Sequence, residues 1–123
     1  MTARKMFCGR ISLAPYGGRC WLIAGATREE LSAWMHRRFG VATQGDSDGE
    51  MIPIWKAGQP DTYIVYVRDW SWLISEQAMA VHELFHLAKS VLKDAKVRDE
   101  EAFAYYLQHL VSEAWSALWK ARQ

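Results

Sequence analysis

The sequence predicts one α+β domain, and three observations carry that expectation. The first half holds short apolar, β-branched and aromatic runs bounded by turn residues, the strongest being Tyr63-Ile64-Val65-Tyr66-Val67. From Ser75 onward the period changes, and apolar residues recur every three or four positions in two long stretches. The length of 123 residues fits a single domain over residues 1–123. A chain of that size buries roughly two-thirds of the surface its unfolded form exposes, so it needs no disulfide staples.

Tyr16-Gly17-Gly18 marks a turn, and Cys20 to Ala24 reads as a short buried strand bounded by Gly25. Thr27 and Glu30 have capping-box spacing, in which each side chain satisfies a free backbone N–H at a helix start. Leu31, Trp34, Met35 and Phe39 follow at helical intervals, and Gly40 suits the stop. Gln44 to Glu50 is polar and predicts a surface loop; its Asp46, Asp48 and Glu50 lack the spacing of a calcium loop. Met51 to Trp55 predicts a strand that Pro53, having no N–H to donate, restricts to an edge or irregular position. Gly58 to Asp61 is a turn signal before the Tyr63–Val67 strand.

Val81, Leu84, Phe85, Ala88, Val91 and Leu92 form the stripe of a helix over about 75–93. Asp99 can cap a second helix over about 99–120, whose stripe is Phe103, Leu107, Leu110, Ala114, Ala117 and Leu118. The expected fold is a small, mostly antiparallel sheet carrying these two helices.

Charge and composition narrow the function. Fifteen Lys and Arg stand against 14 Asp and Glu, a net charge of +1. A chain that grips nucleic acid through phosphates usually carries a basic excess, so no nucleic-acid partner is expected, short of a local basic patch. No apolar run reaches the ~18 residues a membrane span needs. Met1 to Leu13 lacks the continuous apolar core of a signal peptide, so the expected location is cytoplasmic. Cys8 and Cys20 are then expected as free thiols, with a disulfide or an incidental metal site as the other readings. Seven tryptophans either bulk out a small core or, at Trp115 and Trp119 near the C-terminus, dock a protein partner or a second copy.

The chemistry concentrates in His82-Glu83-Leu84-Phe85-His86. Histidines four residues apart on a helix lie one turn apart on one face, where both imidazoles reach a single zinc ion. The Glu following the first His is placed to take a proton from a metal-activated water rather than to bind the metal. Four His and eight Glu placed at random would yield this pattern in roughly one such chain per hundred, so the mid-helix setting after a strong strand adds weight. A third ligand is needed, and the downstream segment offers Asp94, Asp99, Glu100, Glu101 and His109.

HExxH followed by a glutamate on the next helix resembles the gluzincins, the thermolysin- and aminopeptidase-like zinc metallopeptidases. Glu101-Ala102-Phe103-Ala104 is similar to the ligand-bearing Glu-Gly/Ala-Phe-Ala run of that group. The size is similar to minimal single-domain gluzincins and to small HExxH proteins of phages and prophages. The resemblance covers about Tyr63 to Leu110 and implies a zincin-like fold. It implies zinc held by His82, His86 and Glu101, with Glu83 as general base for peptide-bond hydrolysis. Tyr105, one turn after Glu101, would support the site through its hydroxyl. Tyr66, Val67 and Arg68 would lie along a cleft whose edge strand pairs with an extended peptide substrate.

Two features of the residues themselves stand beside the resemblance. Only 14 residues separate His86 from Glu101, fewer than usual in that group. The apolar stripe of the last helix is centred nearer Glu100, which keeps Glu100 as the alternative ligand. The alternative function is a zinc-binding regulatory or protein-interaction module without efficient catalysis.

Overall fold

The computed structural model describes residues 6–43, 45–56 and 58–122. Gln44, at the start of the expected polar loop, and Met1 to Lys5 of the N-terminal segment lie outside the described residues. The elements run β1 (Phe7–Ile11), β2 (Arg19–Ala24), α1 (Arg28–Phe39), β3 (Gly49–Lys56), β4 (Gln59–Val67), α2 (Ile74–Asp94) and α3 (Glu100–Arg122). The class is α+β, as the sequence predicts.

The four strands form one sheet in the order β1-β2-β4-β3. β1–β2 and β3–β4 pair antiparallel, while β2–β4 pair in parallel. The sheet is therefore mixed. A parallel pair needs a long crossover, and α1 with β3 supplies it. The order also corrects the expectation for Tyr66 and Val67. They lie on an interior strand and are buried, so the free edge beside α2 belongs to β3. Pro53 on that edge is where a residue without an N–H is tolerated. β4 starts at Gln59, so the turn residues Gln59 to Asp61 are already strand.

β1 has no counterpart among the expected strands. Gly9 and Arg10 break its apolar pattern, yet its alternation serves both faces. Ile11 joins the core beneath α2 and α3, and Cys8 packs toward α1. Cys8 and Cys20 are both unpaired and contribute to opposite faces of the sheet.

The caps behave as their spacing predicts. The Thr27 hydroxyl accepts from the Glu30 N–H at 3.1 Å, and the Glu30 carboxylate accepts from the Thr27 N–H at 2.8 Å. Gly40 closes α1 at φ 71°, a left-handed conformation that costs glycine little. α2 starts differently: the Glu76 carboxylate gathers the backbone N–H groups of Ser71 and Leu73. Asp99 accepts from the Glu101 N–H at the start of α3.

α1 covers one face of the sheet through Leu31, Trp34 and Met35 against Ile23, Ile64 and Tyr66. α2 and α3 cover the other, with Leu84, Leu87, Ala88, Tyr106, Leu110 and Ala114 packed on Leu22, Tyr63 and Val65. Leu87, outside the expected stripe, is fully buried, whereas Phe85, inside it, is 40% exposed. The buried arc of α2 thus turns toward the β3 side. Leu87→Ala is expected to cost about 2–5 kcal/mol of stability, because it leaves a cavity between helix and sheet. A shift of the denaturant midpoint with unchanged slope would report it.

Candidate metal centre

Helical geometry alone brings His82 and His86 together. Their Nε2 atoms lie 3.1 Å apart, with the rings at 84° to each other. Two imidazole nitrogens each ~2.0–2.1 Å from one tetrahedral zinc would be separated by roughly 3.3 Å. The pair therefore fits two adjacent coordination positions. Both histidines are solvent-exposed, on the side of α2 turned away from the core.

Glu83 sits differently. It is only 7% exposed and leans toward the edge strand β3. The Arg68 N–H donates to the Asp48 carbonyl at 2.8 Å, which sets the alternation of the β3–β4 ladder. In that alternation Gly49, Met51 and Pro53 present their backbone polar groups outward from the sheet edge. The Met51 N–H accordingly faces the Glu83 carboxylate. Gly49 permits the approach, since a Cβ there would stand 2.8 Å from Met79 Cγ and 3.4 Å from Glu83 Oε2.

Burial pushes the Glu83 carboxyl above the usual range; the two histidines and the Met51 N–H oppose this, and Glu50 adds to it. Glu50 itself pairs with Arg28 at 2.9 Å, and the Arg28 guanidinium lies over the Tyr66 ring. Tyr66 thus supports the far side of the sheet, donating its hydroxyl proton to the Ala26 carbonyl at 2.6 Å. Arg68 is exposed and pairs with Asp48 at 3.2 Å.

The downstream carboxylates are not drawn to the histidine pair. Among the described residues no three His, Cys, Asp or Glu side chains are grouped to hold one metal ion. Glu100 and Glu101 are both exposed in the first turn of α3. Glu100 borders a groove with Lys89, Lys93 and Phe103. Phe85 packs its ring 5.2 Å from that of Phe103 on α3 and 5.8 Å from that of His86. Tyr105 is 69% exposed and makes no ring contact or hydrogen bond with either histidine.

The remaining candidates have other partners. Asp94 accepts from the Tyr63 hydroxyl at 2.8 Å, and His109 Nε2 lies 3.3 Å from the Ser12 carbonyl. Sequence reasoning missed β3 as the strand facing Glu83, although Pro53 had marked it as an edge. No protein-family model, curated protein or solved structure matches the chain.

Proposed function

We propose that the protein is a zincin-like, gluzincin-type zinc metallopeptidase acting on a peptide or protein substrate. The observation that carries this reading is the convergence of His82 and His86 Nε2 to 3.1 Å with Glu83 beside them. Zinc bound there would lower the pKa of a water and polarise a substrate carbonyl. His82 and His86 would hold the ion, with Glu101 as third ligand and Glu100 as its alternative. Glu83 would take the proton from the attacking water and return it to the leaving nitrogen. Its burial against β3 favours that role, since a fixed, partly desolvated carboxylate is a better base than a freely solvated one. Tyr105 would act as an outer support that orients a metal-bound histidine through its hydroxyl.

An extended peptide would meet β3 rather than β4. The Met51 N–H faces Glu83 and Pro53 has no N–H, so that edge would engage the peptide chiefly through its outward carbonyls, on the Glu83 side of α2. No helix among the described residues is long and apolar enough to cross a membrane. A cytoplasmic setting accords with two free thiols.

The second reading, a zinc-binding interaction module, is favoured by the exposed, ungrouped carboxylates of α3. Its docking surface would be the tryptophan cluster, where Trp70, Trp72, Trp115 and Trp119 meet edge-to-face at 5.2–5.6 Å and Trp119 is half exposed.

Chelator competition on Glu100→Ala and Glu101→Ala tests the ligand set. Loss of an outer supporting residue costs ~10–100-fold in metal affinity, so the true ligand should exceed that. Glu101→Ala is expected to be the weaker binder. Weakening by Glu100→Ala alone would move the ligand by one residue. Wild-type affinity in both would remove the gluzincin assignment.

A further inference from the structure

A net charge of +1 conceals a separation of charge across the sheet. β1 and β2 contain no Asp or Glu, and the carboxylates of α1, Glu29 and Glu30, lie in its first turn. The opposite end of α1 carries Arg37 and Arg38, about 12 Å further along the axis at 1.5 Å per residue. Arg10 on β1 stands directly across from Trp21 on β2. Its guanidinium carbon lies 5.7 Å from the Trp21 ring. The Arg38 guanidinium lies 4.5 Å from the same ring and 5.3 Å from that of Trp34. Arg37 and Arg38 border a surface depression of about 330 Å³ beside Trp34.

All three arginines are exposed, and among the described residues none is paired with a carboxylate. Arg10 and Arg38 share one indole, and Arg37 lines the depression beside Arg38, so the like charges on this face repel one another and an anion would relieve that. Stacking on indole fixes the plane of a guanidinium and leaves its N–H edge free, the arrangement that suits two-pronged contact with phosphate. Trp34 is buried and Trp21 half-buried, so neither offers an open face to a base. The contacts available are to a backbone, not to base rings.

We propose that Arg10, Arg37 and Arg38 form a binding face for the phosphodiester backbone of nucleic acid, across the sheet from the histidine pair. The expectation of no nucleic-acid partner came from a charge averaged over the whole chain, and this face departs from the average. The face is independent of the zinc reading.

The test is fluorescence anisotropy with a labelled 20-base-pair DNA duplex, titrated with full-length protein at several salt concentrations. Binding is expected to weaken with salt, with a log–log slope of about −2.7 for three phosphates. Arg10→Glu and Arg37→Glu, both at exposed positions, should each weaken binding at least about ten-fold while thermal unfolding stays near wild type. Arg37 lies over no indole, so Arg37→Lys, which keeps the charge, should retain most of the affinity. Lys89→Glu with Lys93→Glu, on α2, should bind like wild type. No binding at about 50 mM salt would overturn the proposal, as would equal loss in the α2 control. Displacement by inorganic phosphate at matched phosphate concentration would overturn the nucleic-acid assignment in favour of a small-anion site.

Discussion

Wild type is expected to purify with close to one zinc ion per chain, and His82→Ala combined with His86→Ala without it. The expectation rests on geometry that the helix itself imposes. Residues four apart share a face, and here their ring nitrogens already meet at 3.1 Å, so little reorganisation is needed to bind. Both side chains are exposed, and neither belongs to the core, so the variant should fold like wild type. Elemental analysis of both proteins, with circular dichroism to verify α2, measures the effect. Retained zinc in the double variant would place the metal elsewhere and remove the metal centre described above. Cys8 and Cys20 would not readily replace it, because they face opposite sides of the sheet and burial raises both thiols above their ordinary pKa.

Glu83→Gln is expected to keep the zinc and to lose about 10²- to 10⁴-fold in peptide hydrolysis, the usual worth of a positioned base. The amide keeps the shape and an oxygen that can accept from the Met51 N–H, but it cannot take up a proton from water. Stability should therefore change little, and the measurement separates a chemical role from a structural one. Activity equal to wild type would remove Glu83 as the base. A wild type that binds zinc and cleaves no peptide would favour the interaction module and direct attention to Trp70, Trp72, Trp115 and Trp119.

Much of the local structure was legible in the residues. Thr27 with Glu30, Gly40, Asp99 and the three- and four-residue apolar intervals set the helices, because caps and helical periodicity depend on near neighbours in the chain. The histidine pair was legible for the same reason. Its convergence needs one turn of helix and nothing else.

What lies between distant segments was decided only by the tertiary structure. The strand order places β3, not the more apolar β4, beside Glu83, because the crossover through α1 pairs β4 with β2 and leaves β3 at the rim. β1 forms although its own pattern is broken, since β2 offers it a free edge and both sheet faces are covered. Phe85, expected in the core, is 40% exposed and touches both His86 and Phe103 of α3, a consequence of how two helices roll against each other as they pack on the sheet. Arg10 and Arg38 are 28 positions apart and meet over one indole through a strand register and a helix crossing. Composition fixes how much charge a chain carries, but only the pairing of remote strands decides where that charge collects.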